Sequence, residues 1–181
     1  HVCLGIPGLS MLDEQRYSLD LMNTVLGEGM SSRLFMEVRE RQGLAYAVHS
    51  GNAHYKDTGA LVVYCGVDPS KAEQALGAIM GELTKIRELI PEQELSNAKE
   101  FISGRLLLRM EDTRAVMGWM GGQELLLERV LTPDEIVEKL HQITSEQIAV
   151  MAQKLIVPEN YKLAVVGPYR SEAKFRKLLA A

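Results

Sequence analysis

Aromatic residues are scarce in this sequence, with Phe, Trp and Tyr at 6% in total, and no basic stripe runs between them. With a formal net charge of −4, the chain lacks the positive surface that nucleic acids and anionic membranes select. No nucleic-acid partner is expected. No run of about 18 apolar residues occurs, so no segment is expected to span a membrane, and no secretory leader is recognisable. Cysteine is limited to Cys3 and Cys65, each inside an apolar, strand-like run (Val2 to Ile6 and Leu61 to Val67). A disulfide framework needs more cysteines and a secreted context, so both are expected as buried free thiols. An initiator Met is missing too: His1-Val2-Cys3-Leu4-Gly5-Ile6 opens inside an apparent strand. The expectation is a piece of a longer protein, with further functions upstream.

The 181 residues are 46% hydrophobic and 24% charged, the balance of an ordinary globular domain. A chain of this size buries roughly 70% of its unfolded surface and needs neither disulfide nor metal to fold. One domain over 1–181 is therefore expected. Leu12 to Leu26 carries Tyr17, Leu21 and Val25 at helical spacing, and Gly27 and Gly29 end it. Ser31 and Ser32 are placed to cap a short helix from Arg33 to Arg41, with Leu34 and Val38 inward and Gly43 as its stop. Leu44, Tyr46 and Val48 then alternate with Ala45, Ala47 and His49, a strand pattern. The turn signal Lys56-Asp57-Thr58-Gly59 joins it to a second strand, Gly59 to Val67, as a hairpin.

Asp68-Pro69 opens a helical block, in which Ala72, Ala75, Leu76, Ile79, Leu83 and Ile86 trace one face. Pro91 restarts the pattern, which runs on through Arg109. Val116, Trp119, Met120 and Leu127 suggest another helix, weakened by Gly118, Gly121 and Gly122 at about 1 kcal/mol each. Thr132-Pro133-Asp134-Glu135 and Thr144-Ser145-Glu146-Gln147 fit the capping box. A strand from Tyr161 to Val166 and a helix from Ser171 close the chain. Strand, two helices, strands, several helices, strand, helix is an α+β order. It predicts a two-layer sandwich with helices packed on one face of a largely antiparallel sheet.

Catalytic patterns are absent. A hydrolytic metal site needs three convergent ligands, yet His1, His49, His54 and His141 fall in neither H-E-x-x-H nor H-x-x-E-H. His49 and His54 lie five apart in a strand and point to opposite faces. No metal site or cofactor is expected in the chain. No G-x-S-x-G elbow or phosphate loop occurs, and Glu111 and Asp112 read as a solvated helix end. The segment Gly27 to Tyr46 differs in kind: a glycine-rich entry, a short helix, a glycine stop and a strand start. It places Arg39 in the last helical turn and Tyr46 three residues beyond Gly43. A guanidinium fork and a phenol there could converge on a peptide carbonyl. Equally, Arg39, Glu40 and Arg41 could be a solvated helix end that suits the helix dipole.

The frame Ser31-Ser32-Arg33-Leu34-Phe35, followed by Arg39 and Gly43-Leu44-Ala45-Tyr46, closely resembles the pitrilysin/insulinase family of zinc metallopeptidases and the mitochondrial processing peptidases. The resemblance extends to Leu21–Gly29, the Asp57-Thr58-Gly59 turn, Glu94–Lys99 and Thr144–Val150. It implies a chamber between two similar α+β half-domains. The first carries H-x-x-E-H and a later Glu that bind zinc; the second lacks them and holds substrate with an Arg-x6-Tyr pair. By that resemblance the chain is the C-terminal, non-catalytic half-domain, inactive alone. Arg39 and Tyr46 then hold carbonyls of an extended peptide or small protein, and Arg33 anchors the glycine-rich entry. Zinc belongs to the N-terminal half-domain, on the same protein or on a partner subunit of a homodimer or heterodimer. The alternatives are a scaffold related to the core proteins of respiratory complexes, and a separate peptide-binding subunit. A cytoplasmic location is expected, with the mitochondrial matrix as the alternative.

Overall fold

The computed structural model of the chain describes residues 1–179. Its sheet follows from two-residue alternation. Strands β1 (Val2–Pro7), β2 (Ala45–His54), β3 (Gly59–Val67) and β4 (Lys162–Val165) stand in the order β2-β3-β1-β4, antiparallel throughout. Val2, Leu4 and Ile6 lie opposite Cys65, Val63 and Leu61, and all six are buried. Directly opposed residues share a face, so this is the side on which the helices pack. The expected α+β sandwich is what forms. Cys3, Gly5, Val62 and Tyr64 belong to the other face and are only partly covered. Cys65 is thus a buried free thiol, which burial pushes up to about 11, whereas Cys3 is half-buried rather than buried.

Seven α-helices follow among the described residues: α1 (Arg16–Gly27), α2 (Ala72–Lys85), α3 (Glu92–Arg109), α4 (Thr113–Leu127), α5 (Pro133–His141), α6 (Ser145–Leu155) and α7 (Ala173–Leu179). Helix α1 starts later than its apolar pattern, because the preceding residues are held in turns. The Met11 N–H donates to the Tyr55 carbonyl at 2.8 Å, and the Gln15 N–H to Asp13 Oδ1 at 2.8 Å. The Asp68 carboxylate accepts the Ser70 N–H ahead of α2. Thr132 and Thr144 form complete capping boxes with Glu135 and Gln147, satisfying N–H groups that a helix start otherwise leaves unpaired. Strand β4 is a residue shorter at each end than the sequence pattern. The Ser171 hydroxyl accepts the Ala173 N–H at 3.2 Å, so α7 begins beyond it.

Candidate functional site

The segment singled out by the sequence lies between the end of α1 and the start of β2. Helix α1 ends at Gly27 close against the sheet. A Cβ there would meet the Ser50 hydroxyl and its backbone nitrogen, so only glycine permits this approach. Ser31 and Ser32 do not cap a helix: the Ser32 hydroxyl turns back and donates to the Gly29 carbonyl at 2.7 Å. Arg33 instead fixes the segment. Its Nε donates to Glu94 Oε1 at 2.8 Å and its Nη2 to Glu94 Oε2 at 2.6 Å, a two-point fork onto the first turn of α3. Such bidentate pairs restrict geometry more than single contacts do.

The short helix is a π-helix over Phe35–Arg41, wider than the α-turn its spacing suggested. Leu34 and Val38 are fully buried and hold it to the core. The Gln42 N–H donates to the Glu37 carbonyl, and the Leu44 N–H to the Val38 carbonyl. Gly43, at φ +58, makes the left-handed exit that a side chain resists. π-Turns of this kind recur at functional sites.

Strand β2 departs from strict alternation at one place. Ala45 pairs with Val67 and Ala47 with Gly66, so Tyr46 is the extra residue of a β-bulge. Strict alternation would place Tyr46 inward beside Leu44 and Val48. The bulge turns it out instead, and it is 86% exposed. Bulges re-aim single side chains in this way.

Arg39 and Tyr46 are thereby brought together: the Arg39 guanidinium carbon lies 5.4 Å from the Tyr46 ring centroid and 4.7 Å from that of Phe35. Glu37 is already engaged, by Arg41 at 2.9 Å and by the Gln42 amide at 2.7 Å. Arg39 keeps one carboxylate neighbour, Glu40, at 3.6 Å. The solvated helix-end description therefore fits Arg41, whose side chain is 74% exposed, better than Arg39. Among the described residues, neither the Tyr46 hydroxyl nor the Arg39 fork makes a hydrogen bond, and the Glu40 oxygen at 3.6 Å is too far for one. Chemically the pair presents unspent donors and one positive charge on an open surface.

Two features escaped the sequence. Phe35 beneath Arg39 was detectable only as a four-residue spacing. A polar group also lines a cleft of about 680 Å³ between β2 and α4, with Asp20, Asn52, His54 and Trp119 among its residues. His54 Nε2 lies 3.0 Å from Asp20 Oδ1, and its Nδ1 lies 2.7 Å from the Leu9 carbonyl oxygen. His49 is on the opposite face, as strand alternation required. Among the described residues no three His, Cys, Asp or Glu side chains converge as a metal site.

The family model of the peptidase M16 inactive domain matches residues 1–102, more than half of the chain. The chain belongs to this family. Two curated relatives extend the likeness along most of the chain. "Uncharacterized zinc protease YmxG" of Bacillus subtilis is 40% identical over 169 residues, covering 93% of this chain and 41% of that protein. "Uncharacterized zinc protease SCO5738" of Streptomyces coelicolor is 35% identical, covering 97% and 38%. The chain thus spans about two fifths of the length of the relatives it matches. A solved protease from Helicobacter pylori superposes with a TM-score of 0.81 at 21% identity, over 90% of this chain and 40% of that one. A chain of complex III2 from Candida albicans gives 0.86 at 14%, over 98% and 46%. At those identities the two structures show the fold alone. The pitrilysin/insulinase resemblance carried by the Ser31–Tyr46 frame agrees with the match to an inactive domain among zinc proteases.

Proposed function

We propose that this chain is the substrate-gripping, C-terminal half of a zinc metallopeptidase, and that zinc is held by an N-terminal half-domain, in the same protein or on a partner subunit. The observation that carries the reading is the bulge at Tyr46, which sets its ring beside an arginine whose one carboxylate neighbour, Glu40, stands at 3.6 Å, beyond hydrogen-bond distance. Turning a large aromatic outward beside a cation costs hydrophobic burial. A surface built to hydrogen-bond a ligand gives that arrangement a use.

In the proposed role, Arg39 and Tyr46 donate hydrogen bonds to carbonyl oxygens of an extended peptide and to the oxyanion that forms on attack. Donors fixed before reaction stabilise developing charge without reorganising. The pair stands on an open surface, so a second wall is required, and the other half-domain supplies it in the same protein or a partner subunit. The named relatives are bacterial, which favours the cytoplasm over the mitochondrial matrix.

The test is kinetic, in the full-length protein. Arg39→Ala and Tyr46→Phe are each expected to lower kcat/KM, with zinc content and melting temperature nearly unchanged. If the lost contact is to the oxyanion, the cost is about 3–4 kcal/mol, roughly 10²–10³ in kcat. If ground-state carbonyls are held equally well, KM rises and kcat persists. Both residues address one substrate segment, so the double variant loses less than the sum of the two. Wild-type kinetics in both single variants would return the pair to a structural role and favour a scaffold.

A further inference from the structure

Arg39 is a long side chain with many rotamers, and its side chain is 40% exposed. A clamp needs its donors in one place before substrate arrives. The usual device is a carboxylate partner, but that would consume the N–H groups the substrate needs and cancel the charge. Glu37 is committed to Arg41 and Gln42, and Glu40 stands at 3.6 Å. Another device is present. The Phe35 ring lies 4.7 Å from the guanidinium carbon, inside the range of about 6 Å over which a cation is held by an aromatic face.

We infer that Phe35 is the positioning residue of the clamp, a π-face that fixes the Arg39 guanidinium while leaving its N–H edge available to substrate. Stacking uses the flat face of the guanidinium, whereas its five donors lie in the plane. Phe35 is suited to be the fixed member: it is half-buried and directly follows Leu34, which is fully buried. Its segment is also tied to α3 by the Arg33–Glu94 fork. Tyr46, the second ring near Arg39 at 5.4 Å, is almost wholly exposed and has no such anchorage. The division of labour is that Phe35 orients, Arg39 and Tyr46 donate.

The inference rests on the clamp reading, and the experiment separates the two. Peptide cleavage by the full-length protein is compared for wild type, Phe35→Leu, Phe35→Tyr, Arg39→Ala and the Phe35→Leu/Arg39→Ala double variant. Phe35→Leu keeps apolar bulk and removes the π-face. It is expected to lower kcat/KM about three- to tenfold, the size of one partly exposed cation–π contact, without lowering the melting temperature. Phe35→Tyr restores wild-type kinetics, and Phe35→Leu has no further effect once Arg39 is gone. Should Phe35→Leu melt early, Phe35→Met provides the same removal with a more adaptable side chain. The clamp itself falls, and the positioning role with it, if the full-length protein cleaves no peptide or Arg39→Ala is as active as wild type. Phe35 alone is overturned if Arg39→Ala is impaired while Phe35→Leu is normal, if tyrosine does not rescue, or if the two losses multiply in the double variant.

Discussion

Helices α1 and α4 are both apolar in sequence, yet ten of the twelve residues of α1 are buried and only Gln123 of the fifteen in α4. Helix α1 packs against β2, α3 and α6 and ends at a glycine pressed on Ser50. Helix α4 forms one wall of the open cleft, with Met117, Met120 and Leu125 exposed. The difference teaches that apolar content does not decide burial; the presence of a facing surface does. The family match, residues 1–102, includes α1, and α4 lies outside it.

The largest effects should separate these two helices. Leu26, fully buried in α1, is expected to cost about 2–5 kcal/mol on replacement by alanine, since the cavity refills only in part. Leu125→Ala on α4 should change stability by no more than about 0.5 kcal/mol, the size of an ordinary surface replacement. Urea denaturation of both variants checks the contrast. Equal losses would mean that α4 is held as closely as α1.

Most of the fold was legible in the sequence because helices, caps and the hairpin are local. The faces of α2, both capping boxes and the β2–β3 pair arise from spacings within about a dozen residues. Arg39 and Tyr46 were visible as residues, but their juxtaposition was not. It depends on a π-turn and a bulge, each of which breaks the period that reveals it. Strict alternation would have sent Tyr46 into the core. The Asp20–His54 contact was hidden for another reason: the partners are 34 positions apart and meet only where α1 packs on β2. The Arg33–Glu94 fork, spanning 61 positions, is illegible on the same ground.

A smaller effect tests whether α4 is as open as it stands. Among the described residues, nothing outside the backbone of its own helix and its chain neighbours would come within 4 Å of a Cβ at Gly121, and the residue sits inside a helix. Gly121→Ala should therefore stabilise the domain by up to about 1 kcal/mol, through the backbone entropy that glycine loses on folding. The urea midpoint should rise with its slope unchanged. A fall in the midpoint would mean that another surface approaches the glycine face, and the contrast with α1 would narrow. Measured in the full-length protein as well, the same variant reports whether the rest of the chain rests on that face.

The smallest effect concerns His54, on the packed wall of the cleft that α4 overlooks. Its Nε2 faces an Asp20 carboxylate oxygen and its Nδ1 a carbonyl oxygen. Both are acceptors, so only the doubly protonated ring satisfies both contacts. The Asp20 hydrogen bond is the main reason its pKa is raised; burial opposes it, the Leu9 carbonyl supports it and Arg16 lowers it. Because the folded-state value lies above the unfolded one, the stabilisation is fully present below about pH 6.5 and fades as pH rises through the folded value. The contact is partly exposed, so its worth is under about 1 kcal/mol. His54→Gln should then cost more stability near about pH 5.5 than near about pH 8.5, as read from denaturation midpoints of variant and wild type. An equal cost at both values would mean that the ring acts by packing alone. If α4 closes over the cleft in the full-length protein, added desolvation disfavours the imidazolium and moves the fading to lower pH, which makes this histidine a reporter of whether the loose helix stays loose.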